Sequence, residues 1–135
     1  MRSALVVMAV LALAACSDDE IDPTVPTTME PVSGDGQFAD AGTMVPDPLT
    51  IRILNLNGDP VEGVTVEWVV NLGGGTLSAD ETVTDENGIA QVTYTLGTLV
   101  GTQTASAVNN NLVGSPVLFT ATARPNGGGG GPPVP

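Results

Sequence analysis

Asn57-Gly58-Asp59-Pro60-Val61-Glu62-Gly63-Val64-Thr65-Val66-Glu67-Trp68 is the stretch on which the fold turns. Asn57-Gly58 reads as a hairpin turn, because both residues tolerate positive φ. Pro60 locks its own φ just after that turn and suits the start of a strand. From Val64 onward apolar residues fall on every second position. Val64, Val66, Trp68 and Val70 share one face, with Thr65 and Glu67 on the other. A period of two marks a strand with one face buried.

The same alternation recurs on both sides of this segment. Upstream, Leu49, Ile51 and Ile53 share a face, opposite Thr50 and Arg52. Downstream, Ala90, Val92, Tyr94 and Leu96 lie opposite Gln91, Thr93 and Thr95. Phe119, Ala121 and Ala123 lie opposite Leu118, Thr120 and Thr122. Gln103 to Val108 reads as a further strand and Glu81 to Thr84 as a short one. Asn87-Gly88 repeats the hairpin signal, while Gly73-Gly74-Gly75 and Asn109-Asn110-Asn111 mark loops. No segment of this region shows helical periodicity. About seven strands at such spacing predict an all-β sandwich of two packed sheets, with Val66, Trp68, Tyr94 and Phe119 in its core.

Length and charge narrow the function. The chain has 135 residues, enough for one domain, and a formal charge of −12 with no lysine and no histidine. Nucleic acid is excluded as an expected partner, because phosphate binding rests on Lys and Arg. An anionic lipid surface repels such a domain, and strong negative charge favours a soluble monomer.

The two ends differ in kind from the middle. Met1-Arg2-Ser3 is short and weakly positive, and Ala4 to Ala15 contains no polar residue. That run is too short to cross a bilayer, which takes about 20 residues; it has the length of a signal-peptide core. Leu13-Ala14-Ala15-Cys16 resembles the lipobox of bacterial lipoproteins. The resemblance implies a signal peptide over residues 1–15, lipidation of Cys16, and a mature chain that begins there. Removing Arg2 with that peptide takes the formal charge from −12 to −13. Lipid on Cys16 would then be the membrane contact. One acyl chain anchors only marginally, but several chains on one residue hold firmly.

Residues 16–31 read as a lipidated cysteine with an acidic, Pro- and Thr-rich tether, expected to lack structure. Cys16-Ser17-Asp18-Asp19-Glu20 resembles the acidic surface-export signal of Bacteroidetes lipoproteins, against the plainer reading of a solvated linker. The outer membrane is the expected location, with the face left open. Residues 124–135, RPNGGGGGPPVP, read as a linker or a disordered end.

Residues 32–123 resemble the bacterial Ig-like domain of group 1, the repeat of invasin- and intimin-type adhesins. The resemblance is carried by Gly34-Asp35-Gly36-Gln37 with Ala41-Gly42, Pro48-Leu49-Thr50-Ile51, and the segment Asn57 to Trp68. Gly73 to Ser78, Thr84-Asp85-Glu86-Asn87-Gly88-Ile89-Ala90, Leu96-Gly97 and Gly101 to Ala105 continue it in the same order. It implies an Ig-like sandwich in which Trp68, on a central strand, fills the space between the sheets. Cys16 is the only cysteine, so no disulfide joins them. Adhesion is implied more weakly by the resemblance, because the chain has one such domain where the adhesins string several behind a barrel.

Catalysis is disfavoured. Without histidine no Ser-His or Cys-His pair forms. Glu67 is expected to point to solvent, and Asp59, Glu62, Asp85 and Glu86 fall at turns. Asp18, Asp19, Glu20 and Asp22, or Asp85, Glu86 and Asn87, could attract calcium, yet neither set has EF-hand spacing. No metal and no cofactor is therefore expected. A sugar-binding module needs exposed aromatics, and Phe38 alone is expected outside the core. The reading is a non-catalytic, lipid-anchored envelope module with a structural, adhesive or protein-contact role. A periplasm-facing accessory subunit and a carbohydrate-binding module are the alternatives.

Overall fold

Each alternating run needs a second layer to cover its apolar face, and two sheets provide it. The computed structural model describes residues 24–125. Its strand segments are β1 (Thr28–Ser33), β2 (Gln37–Asp40), β3 (Leu49–Leu54), β4 (Thr65–Leu72) and β5 (Thr76–Leu77). They continue as β6 (Glu81–Val83), β7 (Ile89–Val92), β8 (Tyr94–Thr95), β9 (Gly101–Val108) and β10 (Val117–Arg124). One sheet has the order β1-β3-β7, the other β2-β10-β9-β4-β6, and β5 pairs with β8. The Val45 N–H donates to the Tyr94 carbonyl at 2.9 Å and the Leu96 N–H to Thr43. Residues 43–45 and β8 thereby prolong the lines of β3 and β7, so the small pair extends the first sheet.

The ends of the sandwich are set by the pairing. β1 runs antiparallel to β3, starting from Thr28 opposite Leu54. The chain then crosses between sheets, and β2 runs parallel to the last half of β10. β4 and β10 both flank β9 in antiparallel register.

The core is built on an asymmetry between the sheets. The three-stranded sheet contributes aliphatic side chains: Leu49, Ile51 and Ile53, with Ala90, Val92 and Met29 beside them. The five-stranded sheet contributes two of the three buried rings, and the third, Tyr94, comes from β8 on the other side. Trp68 on β4 and Phe119 on β10 are separated by β9, whose inward residues beside them are Ala105 and Ala107. Both alanines are completely buried. Because they are small, the two rings close over the strand between them, with centroids 6.2 Å apart and planes tilted by 35°. The indole N–H of Trp68 donates to Thr82 Oγ1 at 2.8 Å, so its polar edge is satisfied.

Several sequence expectations require correction. The tether was expected to reach residue 31, but Thr28 to Pro31 belong to β1 and Met29 is 2% exposed. One methionine among prolines gives no periodic signal; its burial comes from pairing with β3. At the other end, Arg124 closes β10 rather than opening the tail. Among the described residues there are ten short segments where about seven strands were expected. β2 was not anticipated, and the run from Ala90 to Leu96 is divided at Thr93. Trp68 fills the core, but β4 lies next to the edge strand β6, and β9 is the central strand. The expected signal peptide, Leu13, Ala14, Ala15 and Cys16 lie outside the described residues, as does the tail from residue 126.

Asn57-Gly58 and Asn87-Gly88 are turns of a different kind from the two-residue hairpins expected. Gly58 N–H donates to Asn55 and Gly88 N–H to Asp85, so each glycine is the last residue of a four-residue turn. Both turns lie where the chain leaves one sheet for the other: β3 and β7 belong to the first, β4 and β6 to the second. Gly88 has φ +72°, and a Cβ there would stand 2.6 Å from the Ile53 carbonyl oxygen. Glycine is needed both for its backbone and for close packing at this corner.

The core packing can be tested at two positions. Ala107→Leu wedges the Trp68 and Phe119 rings apart and should cost about 1–3 kcal/mol, read from the urea midpoint. Tyr94 is fully buried and its hydroxyl has no hydrogen-bond partner, so Tyr94→Phe should be neutral or stabilising by up to about 1 kcal/mol. Burial also raises the Tyr94 pKa above the ordinary 10.0. Above pH 10 the unfolded chain releases the phenol proton while the folded chain keeps it, so stability falls as pH rises. This is the only tyrosine and the chain lacks lysine; Tyr94→Phe should therefore flatten the alkaline decline in melting temperature.

Candidate functional site

Loops gather at two poles, and the outer sheet faces lie between them. At the entry pole, where β1 starts, stand the loops 55–63, 84–88 and 109–116. Asn55 is buried, and its Oδ1 accepts from the Asn57 and Asp59 N–H groups at 2.8 and 2.9 Å. Asp85 repeats the device, accepting from Asn87 at 2.8 Å and Ile89 at 3.0 Å. In each turn an Asn or Asp three residues before the glycine holds the loop. Thr84 ties the loops together. Its buried hydroxyl accepts from the Val64 N–H at 2.9 Å and donates to the Val61 carbonyl at 2.8 Å. Asn109 anchors the third loop through its side-chain amide, which donates to Thr65 at 3.0 Å, while Leu112 plugs it from inside. Asp59, Glu62, Asp85 and Glu86 are exposed around this pole, and the three loops themselves carry no basic residue.

The exit pole is held by two glutamines. Gln103, 1% exposed, accepts from the Gly97 N–H at 2.7 Å and donates to the carbonyls of Gly97 at 3.1 Å and Leu99 at 2.8 Å. Gln37 donates to the carbonyls of Gly34 at 2.7 Å and Asp47 at 2.8 Å, and accepts from the Asp47 N–H at 2.7 Å. Asp35 accepts from the Thr120 N–H at 2.8 Å, docking the loop before β2 onto β10. The segment Gly34-Asp35-Gly36-Gln37 is thus a structural clasp.

The structure brings no catalytic constellation together among the described residues. Glu67 and Glu81 face each other across β4 and β6, both exposed. With Asp80, Trp68 and Val69 they border an open depression of about 470 Å³. Among the described residues no group of three or more His, Cys, Asp or Glu is placed to hold a metal ion. No helix among them is long and apolar enough to cross a membrane. Val66, Trp68, Tyr94 and Phe119 are all buried, which leaves Phe38, 58% exposed, as the aromatic outside the core.

Sequence reasoning missed Asn55, Thr84 and the two glutamines. The Asn55-x-x-Gly58 and Asp85-x-x-Gly88 spacing was a usable signal for the turns. Gln37, Thr84 and Gln103 stood within the segments that carry the family resemblance, but their roles are defined by partners that only the folded chain brings near.

The sequence model of the bacterial Ig-like domain (group 1) family matches residues 32–122. The chain belongs to that family. The inverse autotransporter adhesin YeeJ of Escherichia coli (strain K12) is 34% identical over 89 residues, covering 57% of this chain and 4% of that protein. The chain therefore spans only a small fraction of that relative's length. Among solved structures, the D00-D0 domain of intimin aligns over 78% of this chain and 48% of its own, with 21% identity and a TM-score of 0.49. A beta-glucuronidase from glycoside hydrolase family 2 aligns over 76% of this chain and 12% of its own, with 17% identity and a TM-score of 0.50. That last likeness is one of fold alone. The family match begins at Val32, inside β1, so the Ig-like domain of this chain starts four residues before it.

Because Thr84 joins the corners of the entry pole, Thr84→Val should leave the partly buried Val64 N–H without its acceptor. The expected loss is about 1–3 kcal/mol, with an unchanged denaturant slope, measured by urea unfolding.

Proposed function

We propose that this chain is a non-catalytic, lipid-anchored module of the cell envelope, whose Ig-like domain serves as a strut for structural or adhesive contact at the cell surface. The observation that carries this reading is the path of the chain. β1 enters at one pole and β10 leaves at the other, so the domain holds its amino-terminal and carboxy-terminal attachments apart. The eight-residue strands β9 and β10 make that spacer about 26 Å long, at about 3.3 Å per residue. Both poles are held by buried side-chain hydrogen bonds, which suits a part that transmits position. The adhesin relative and the family membership support an envelope role. The lipobox at Leu13-Ala14-Ala15-Cys16 supplies the attachment, and the acidic domain adds nothing to membrane affinity.

Palmitate labelling of growing cells tests the anchor. The wild-type chain should take label, Cys16→Ala should take none, and globomycin should hold the chain as a larger precursor. An unlabelled wild type would refute lipid anchoring. Protease shaving of intact cells then tests the face: surface display requires digestion, whereas protection assigns the domain to the periplasm as an accessory subunit.

A further inference from the structure

We propose that Asn57 is a site of spontaneous covalent modification, where the chain turns one of its own side-chain amides into a carboxylate, and that the fold shields Asn87 from the same reaction. This goes beyond the strut role and does not depend on the anchor.

The chemistry needs only the two residues of an Asn-Gly pair and water. The Gly58 nitrogen bonds to the side-chain carbonyl carbon of Asn57 and gives up its proton. The bond from that carbon to the amide nitrogen breaks, and this nitrogen leaves with the proton as ammonia. The product is a five-membered succinimide ring. Water then adds to one of the two ring carbonyls and opens the ring. One opening gives aspartate at position 57; the other gives isoaspartate, whose backbone runs through the former side chain. Glycine favours the reaction because no side chain hinders its nitrogen or the rotation that brings it to the carbonyl carbon.

Asn57-Gly58 and Asn87-Gly88 are equal as pairs in the sequence and unequal in the fold. Both asparagines are exposed, and both glycines have positive φ, +87° and +72°. Each glycine N–H donates to a turn carbonyl, that of Asn55 at 3.0 Å and that of Asp85 at 2.8 Å. The difference lies around the glycines. Gly88 is buried. Its carbonyl also accepts from the Ile53 N–H at 2.8 Å, and a Cβ on it would stand 2.9 Å from Pro60 Cβ. Gly88 cannot swing toward the Asn87 side chain without breaking both bonds and leaving this corner. Its nitrogen would also have to lose a proton inside the protein, where an unpaired charge is costly. Gly58 is exposed, and a Cβ on it would meet nothing within 4 Å. Its nitrogen gives up one turn hydrogen bond at the surface, which water replaces.

The products act on the entry pole. A carboxylate at position 57 adds charge near Asp59, where Glu62, Asp85 and Glu86 already stand exposed. Isoaspartate also inserts a backbone carbon between the N–H groups of positions 57 and 59, which Asn55 Oδ1 accepts together. The turn between β3 and β4 then no longer closes on that oxygen. Modification therefore loosens one corner of the pole and spares the other, and its extent grows with the age of the protein.

Ageing the purified full-length chain tests the proposal. One sample is kept folded in mildly alkaline buffer, and one is kept unfolded in concentrated urea. Peptide mapping by mass spectrometry follows each asparagine, with isoaspartate identified by its fragment ions. In the folded chain Asn57 should convert about tenfold or more faster than Asn87, the factor carried by one buried hydrogen bond. In urea the two should convert at similar rates, because each is then only an Asn-Gly pair. Asn57→Gln, which would have to close a six-membered ring, should stop conversion at position 57 and leave the rate at Asn87 unchanged. Equal rates in the folded chain, faster conversion at Asn87, or a folded Asn57 that stays intact while the urea sample converts would each overturn the proposal.

Discussion

The closure of Trp68 and Phe119 over β9 is the contact on which the rest of the structure depends. A domain of this size with no disulfide must hold two sheets by packing alone. Ala105 and Ala107 leave a trough along the central strand, and the two largest inward side chains of that sheet fill it. The aliphatic rows of the opposite sheet then meet a surface of rings rather than a gap. Small residues on one strand and large ones on its two neighbours interlock, and native cores owe their density to such matching.

That core fixes the positions of the poles. β4, β9 and β10 are bridged by the ring pair, and loops 55–63 and 109–116 of the entry pole hang from these strands and β3, while loop 84–88 joins β6 to β7. The loops are held by side chains that answer backbone groups: buried Asn55 and Thr84 with half-buried Asn109 at one end, buried Gln103 with half-buried Gln37 at the other. The loops therefore extend the rigid body instead of fraying from it. Support of this kind at both ends is what the proposed role as a spacer draws on.

The distribution of charge adds a second level of organisation. Carboxylates crowd the entry pole and the β4–β6 border, while the outward residues of β9 and β10 are threonine, serine and aliphatic up to Arg124 at the end of β10. Strands of this composition pair well, and nothing about pairing requires the outer face to be neutral. Neutrality there, beside so many acids elsewhere, is the property that sets this face apart from the remainder of the surface.

The sequence alone determined the all-β sandwich, most of the core and the absence of a disulfide. Period-two alternation states which side of a strand is wet, and that information is local. It also carried the lipobox-like stretch Leu13-Ala14-Ala15-Cys16 on which the proposed anchor rests, since such a signal is read along the chain. Tertiary structure decided what depends on partners distant in sequence. Met29 and the first strand segment were invisible because their burial comes from β3 and not from their own pattern. The two Asn-Gly turns were legible as turns, but their role as corners between sheets depended on which sheet each flanking strand joined. The neutral face likewise emerged only when β4, β9, β10 and β2 were laid side by side. Each strand by itself shows an ordinary polar side, and a surface exists only in the register that joins them.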